Sequence, residues 1–300
     1  MPAQPTVSRR LGSFGHVAVS SVEEAIAALH EDGGASLLAG GTDLLALMKL
    51  GVEEPGCLVN LKEIPGLDAI REEDGVLRIG PLARIRSILS SSLVERRCRA
   101  LHESTLDFGT PPIRNMATIG GNICRSSPSA DTVPALMAYD ADLILVGRDG
   151  ERAVRLVDFF TGPGQNVLDR EVLTEIRLPL PKGSTGSAFA KLNRTSSDLA
   201  KVNGAVVIRI REERCDDVRI ALGAVADRPI RARAAEQMLR GMALDDGRID
   251  AAAEKVTEDI APISDVRSTA RHRSRVAGVL VGRLVRLAAE RARRCESTSP

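Results

Sequence analysis

The chain has 300 residues, 43% of them hydrophobic and 27% charged, and its 41 lysines and arginines balance 40 aspartates and glutamates to a net charge of +1. That length suits two modest domains with a buried core, and the even charge with only 2% aromatics excludes a nucleic-acid binder, which needs a basic surplus and stacking platforms. Cys57, Cys98, Cys124, Cys215 and Cys295 form no C-x-x-C pair and the histidines have no ligand spacing, so no metal or cluster site is encoded, and no apolar run reaches transmembrane length.

In chain order, Ser8-Arg9-Arg10-Leu11 has the look of a twin-arginine opening. The apolar stretch of an export signal is then interrupted by Gly12, Ser13, Gly15, His16 and Glu23-Glu24, so this end reads as disordered or as the lead into a strand, and the chain as cytoplasmic. Ser21-x-x-Glu24 is a capping box that opens a helix through about residue 30. A short apolar strand at 36–39 is broken by Gly40-Gly41; Thr42 or Asp43 is available as N-cap for a helix over 44–50, which Gly51 stops. A strand at 57–61, a hairpin turning at Asp74-Gly75 and helical segments at 85–89 and 93–106 follow. Next come a second glycine loop, Ala117-Thr118-Ile119-Gly120-Gly121-Asn122, a segment at 134–139, and a hairpin turning at Asp149-Gly150 with 143–146 as one arm. Proline, glycine and serine cluster at 179–184, the expected domain boundary. Beyond it lie strands at 204–211 and 218–225 and helices at 232–240, 249–260 and 268–292. The pattern is α+β without regular βαβ alternation and without G-x-G-x-x-G at a strand-to-helix turn; Gly162-Pro163-Gly164 is a proline turn.

Either glycine pair alone reads as an ordinary tight turn. Two of them, each with an apolar approach and a change of direction, are how a protein brings two backbone loops against one extended phosphate ligand: without Cβ atoms the N–H groups converge on an anion, and a helix N-terminus adds its dipole.

The flanks are specific. Leu38-Ala39-Gly40-Gly41-Thr42-Asp43-Leu44-Leu45, the run from Ala117 through Gly120-Gly121-Asn122 and Ser127-Pro128-Ser129-Ala130-Asp131 to Leu136, then Val157-Asp158-Phe159-Phe160-Thr161-Gly162-Pro163, Glu171-Val172-Leu173-Thr174-Glu175-Ile176 and Lys191-Leu192-Asn193-Arg194 through Asn203, resemble the FAD-binding medium subunit of the molybdenum hydroxylases. That family includes xanthine dehydrogenase, carbon monoxide dehydrogenase and 4-hydroxybenzoyl-CoA reductase, and the resemblance runs through nearly the whole chain. It implies a two-lobed FAD-binding domain of the vanillyl-alcohol oxidase type over 1–180, split near 60, and a small C-terminal α+β domain over 181–300. The iron–sulfur insertion of the aromatic-CoA reductases has no counterpart here. His272, within Arg271-His272-Arg273, stands where the family usually has a tyrosine.

The same resemblance implies that Leu38, Ala39, Gly40, Gly41, Thr42, Asp43, Leu44 and Leu45, with Thr118, Ile119, Gly120, Gly121 and Asn122, cradle the FAD pyrophosphate and ribityl chain, mainly through backbone N–H groups. Asp131 matches a ribityl or ribose contact, although a carboxylate capping the following helix reads as well from the residues alone. Phe108 and Leu173 match flavin-side apolar residues, and each also reads as core; Lys191 matches a lysine beside the isoalloxazine, and also a snorkelling strand lysine. No catalytic acid or base is implied. The expected role is electron transfer between two iron–sulfur clusters on a small partner subunit and an acceptor such as NAD or a quinone, the substrate being oxidised on a large subunit that holds the molybdenum cofactor, in a dimer of heterotrimers. Two alternatives stand beside it: a self-sufficient flavin oxidoreductase of the same fold, which would need its own substrate pocket and usually a further substrate domain, and against which the small C-terminal part argues, and a flavin-free scaffold paralogue, against which the intact glycines of both segments argue.

Overall fold

The computed structural model describes residues 11–31 and 33–296, with side chains through 294. The arginine pair at 9–10 and the Cys295 side chain lie outside the described residues.

The chain opens with β1 (Gly15–Ala18), α1 (Val22–Glu31), β2 (Ala35–Leu38), α2 (Leu44–Lys49) and β3 (Cys57–Asn60), the strands forming a parallel sheet in the order β1-β3-β2. The capping box forms with a shift of one residue: the Glu24 N–H donates to Ser21 Oγ at 3.1 Å, while the Glu24 carboxylate reaches past Ser21 to accept the Ser20 N–H at 2.7 Å. Ala25, Ile26 and Leu29 are the apolar stripe that this start aims at the sheet.

Next come β4 (Ile70–Glu73), β5 (Val76–Ile79), α3 (Ile85–Ser90), α4 (Ser92–Arg97), α5 (Arg99–Leu106), α6 (Pro111–Met116), α7 (Ile119–Cys124), α8 (Thr132–Ala138), β6 (Asp142–Gly147), β7 (Gly150–Arg155), α9 (Leu156–Phe159), β8 (Phe160–Gly162), β9 (Gln165–Asn166) and β10 (Val172–Pro179). Five of these strands make an antiparallel sheet in the order β4-β5-β10-β6-β7, with the helices on one face. The helix expected over 93–106 is in fact two: the chain leaves helical geometry at the fully buried Cys98 (φ −136°, ψ 61°), between α4 and α5. The second hairpin pairs Gly147 with Gly150, so its turn residues are Arg148-Asp149, one position earlier than expected. The second glycine pair is a larger correction, since it lies inside α7 and not in a loop.

The remainder is β11 (Thr185–Leu192), β12 (Val202–Arg211), β13 (Arg214–Gly223) and β14 (Ile230–Arg231), an antiparallel sheet in that order, with α10 (Arg233–Leu239), α11 (Asp246–Lys255), a 3-10 turn at Val256–Glu258 that takes over where one helix was expected to run to 260, and α12 (Ala270–Glu296). β12 is buried on both faces. Ala205 and Val207 pack with α5 and α8, while Val206, Ile208 and Ile210 pack with α10–α12, so one strand belongs to two cores. At the start of α12, His272 is exposed and its neighbour Arg273 turns inward, donating to the carbonyls of Lys201 (2.8 Å) and Ala224 (2.9 Å) and to Asp265 (2.8 Å). Among the described residues no helix is long and apolar enough to cross a membrane.

Candidate functional site

The first glycine segment leaves the end of β2 and turns directly into α2. Gly41 sits at φ +71°, left-handed backbone that a side chain resists. Gly40 has a different constraint: a Cβ there would lie 2.3 Å from the Met116 carbonyl oxygen, so the segment lies against the end of α6, just before the second segment begins. The fold therefore brings together two stretches far apart in sequence. Among the described residues no acceptor is found for the N–H groups of Gly40, Gly41, Thr42, Asp43 or Leu44; the next, on Leu45, donates to the Gly41 carbonyl at 3.1 Å. Asp43 stands at the N-cap of α2, but its side chain makes no cap bond. Consecutive backbone donors left open around a left-handed residue form a concavity suited to an anion.

The second segment is built differently. Thr118 is the N-cap of α7, its Oγ1 accepting the Gly121 N–H at 3.1 Å. Ile119 donates to Ala83 O (3.0 Å), Gly120 to Pro81 O (2.9 Å) and Asn122 to Thr118 O (3.0 Å), so all four N–H groups from Ile119 to Asn122 have partners inside the protein. The expectation that glycines expose backbone donors here is thus corrected. Gly120 answers a packing need, since its Cβ would fall 2.5 Å from Pro81 Cβ. Gly121 is exposed, and a Cβ on it would meet only Thr118 Oγ1, at 3.0 Å. The Asn122 carboxamide oxygen accepts from Thr132 Oγ1 at 2.7 Å, leaving its NH2 as the donating end.

Several other expected residues sort by burial. Leu38, Ile119 and Leu173 have side chains in the core, Leu173 at a bulge of β10 against Leu145 of β6, whereas Ala39, Thr42, Leu44, Leu45 and Phe108 keep partly open surface. Asp131 and Lys191, read separately from the sequence, meet each other. Lys191 Nζ donates to Asp131 Oδ2 at 2.8 Å and to the carbonyls of Asp107 (2.6 Å) and Asp198 (3.3 Å), with 4% of the lysine side chain and 8% of the aspartate exposed. Asp131 makes no cap bond to α8; its other oxygen accepts from Asn203 Nδ2 at 3.0 Å. Burial pushes the Asp131 carboxyl above the usual range, while Lys191 and Asn203 pull it back.

Two residues complete this surroundings without having been singled out in the sequence. Asn203, on the strand opposite Lys191, anchors Asp131. Arg125, the C-cap of α7, stands with its Nε 3.9 Å from Asp43 Oδ2, a cation between the two segments. Its signal in the sequence was only adjacency to the second glycine pair. Among the described residues no cluster of histidine, cysteine or acidic side chains could hold a metal.

A backbone concavity with a guanidinium beside it, on this topology, has relatives. Residues 12–181 match the family model described as FAD binding domain in molybdopterin dehydrogenase, and residues 187–288 match that of the CO dehydrogenase flavoprotein C-terminal domain. The chain is 32% identical over 268 residues to the glyceraldehyde dehydrogenase medium chain of Sulfolobus acidocaldarius, covering 89% of this chain and 95% of that one. It is 35% identical over 277 residues to the carbon monoxide dehydrogenase medium chain of Hydrogenophaga pseudoflava, covering 92% and 96%. A structure of carbon monoxide dehydrogenase from the same organism, lacking the Mo-pyranopterin moiety of the molybdenum cofactor, superposes with a TM-score of 0.92 at 36% identity, over 94% of this chain and 99% of that one. By these matches along its length, the chain belongs to the FAD-binding medium subunits of the molybdenum hydroxylases and is an oxidoreductase subunit.

Proposed function

We propose that this subunit holds one FAD noncovalently and serves as an electron relay, receiving electrons from iron–sulfur clusters on a small partner subunit and delivering them to an external acceptor such as NAD or a quinone. In this reading the substrate is oxidised on a large subunit that carries the molybdenum cofactor, within a dimer of heterotrimers in the cytoplasm. The observation that carries the reading is the run of five N–H groups from Gly40 to Leu44 without an acceptor among the described residues, with Arg125 beside it, a donor set that fits a pyrophosphate. When bound, FAD supplies hydride and single-electron chemistry.

This chain's residues bind and orient. The first segment and Arg125 take the phosphates. Gly121 gives clearance, Asn122 turns its NH2 outward, and Phe108 offers an apolar edge. Lys191 has its charge committed to Asp131, so it acts by fixing the Ser127–Asp131 arm to the sheet of β11 and β12. Loss of solvent around Cys124, on α7, pushes its thiol up to about 12, which keeps it protonated and inert toward a flavin at neutral pH. The boundary between the FAD-binding part and the C-terminal part falls at 179–184.

The test is reconstitution of the purified chain with FAD. One yellow equivalent should bind, leave on acid precipitation and be bleached by dithionite, while no organic donor reduces it until the two partner subunits are added. Colour remaining in the acid pellet would refute noncovalent binding; turnover of a small-molecule donor by the lone chain would overturn the relay.

A further inference from the structure

Away from the glycine segments a cleft of about 640 Å³ opens where the α4–α5 corner meets β11 and α12. Its charged lining is Arg96, Arg97, Arg99 and Arg291 against a single glutamate, Glu95, a local surplus in a chain whose net charge is only +1. Two of these guanidiniums share one carboxylate: Glu103 accepts from Arg99 at 3.1 Å and from Arg291 at 2.7 Å. Arg97 pairs with Glu72 at 2.9 Å, and Arg96 has no partner among the described residues.

The floor of the cleft also has a donor in excess. Tyr139 and Ser187, 1% and 7% exposed, share a hydrogen bond of 2.7 Å between their hydroxyls, and the Ala100 N–H at the start of α5 donates to Ser187 Oγ at 3.2 Å. Two hydroxyl groups carry two protons, and only one lies between them. Whichever oxygen donates, the other proton has no acceptor among the described residues. The N-cap residue of α5, Cys98, makes no side-chain cap bond, and Arg99 of the first turn lines the cleft. Both hydroxyl groups line the cleft, so an oxygen of a molecule bound there can accept that spare proton.

We propose that this cleft binds an oxyanion of the phosphate class, carried by a small phosphorylated molecule. The phosphate sits at the α5 end, accepting from the Ser187–Tyr139 pair, with Arg96 and Arg97 closing over it. The volume exceeds what one phosphate fills and lies in the range of small-molecule sites. Because the lining comes from both sides of the 179–184 boundary, such a ligand would also bridge the two parts of the chain.

The experiment is calorimetric titration of the FAD-saturated full chain with inorganic pyrophosphate and, separately, ADP, at fixed ionic strength. One site is expected for pyrophosphate. Arg96→Glu, at an exposed position with no partner, and Arg97→Gln should each weaken it, the former by about tenfold or more. Arg155→Gln, at an exposed position outside both the cleft and the glycine segments, should leave it unchanged, and the FAD content of the same samples separates failure here from failure of the FAD reading. ADP binding tighter than pyrophosphate identifies a nucleotide as the source; equal binding identifies the phosphates alone. Absence of pyrophosphate binding, or unchanged affinity in both Arg96→Glu and Arg97→Gln, overturns the proposal.

Discussion

Gly40-Gly41 and Gly120-Gly121 are the same pair of letters set to different work. In the first segment Gly41 supplies a left-handed turn, Gly40 lets the chain lie on the Met116 carbonyl, and the N–H groups from Gly40 to Leu44 are left open. In the second, every N–H from Ile119 to Asn122 already has a partner, and Gly120 exists to clear Pro81. A glycine pair therefore does not announce an anion site by itself. What distinguishes the two is whether the backbone donors are satisfied within the fold: in the second, Thr118 takes those of Gly121 and Asn122 locally, and a distant segment, residues 81–83, which no local motif encodes, takes those of Ile119 and Gly120.

The largest effect that would break this comparison comes from Gly120→Val. The added carbons enter space held by Pro81 in a buried position, so the variant should lose about 3 kcal/mol of stability, read from denaturant midpoints with FAD absent. Gly41→Val should instead cost less than that, about 1–2 kcal/mol for the left-handed backbone, and lose FAD. Equal stability losses in the two apoprotein variants would show that the segments do the same job after all.

A similar size is expected for Lys191→Met, which tests the arm behind the second segment. It leaves Asp131 buried without its cation, at a cost of about 3 kcal/mol at neutral pH. The sign with pH follows from the carboxyl being held above its unfolded value already, and further so in the variant. A raised carboxyl is protonated in the folded state first, so its favourable contribution is complete below the unfolded pKa and is lost as pH rises through the folded one. The variant should therefore regain stability relative to the native chain as pH falls from neutral toward the ordinary carboxylate range. A pH-independent difference between the two would mean that the pair is not buried as an ion pair.

Much of this was legible in the sequence, for reasons that separate cleanly. Local signals placed the strand–turn–helix of the first segment, the Ser21 cap and the hairpin at Asp74-Gly75, because capping and turn chemistry act over a few residues. The break at Cys98 has no local signal because it serves burial of a side chain, and α7 has none because two glycines are poor helix formers. Strand β11 is not legible because Thr185–Leu192 reads as small residues without clean alternation; it is held by β12 and α12. Asp131 and Lys191 were each found by resemblance, but their meeting was not, since the contact joins residues 60 apart. Arg125 carries no motif of its own.

Arg125→Gln sharpens the comparison from the ligand's side. If the guanidinium shares the phosphates with the first segment, its loss should weaken FAD binding by about tenfold, the worth of one charge-assisted contact, with no change in apoprotein stability. The 3.9 Å separation from Asp43 with 36% and 68% of the side chains exposed contributes little on its own. Flavin fluorescence quenching on titration measures the first quantity and a thermal melt the second. FAD affinity unaltered in this variant would move the phosphates away from the gap between the segments.

The smallest change in the fold is the most discriminating. Gly40, Gly41 and Gly120 are each glycine for a reason internal to the chain, but Gly121 is exposed, has ordinary backbone and lacks any neighbour to a Cβ except Thr118 Oγ1 at 3.0 Å. Gly121→Ala gains helix propensity and strains the Thr118 cap by a few tenths of an ångström, two opposed terms that should leave stability within about 0.5 kcal/mol of the native chain. If nothing in the fold requires a glycine there, the requirement comes from outside, where a bound molecule lies on the Cα. One methyl in that path should then lower FAD affinity by about tenfold, in keeping with what a single misplaced carbon does in a fitted pocket. Unchanged affinity in Gly121→Ala would reduce the second segment to a wall behind the site and leave the first, with its open donors, as the whole of the phosphate cradle.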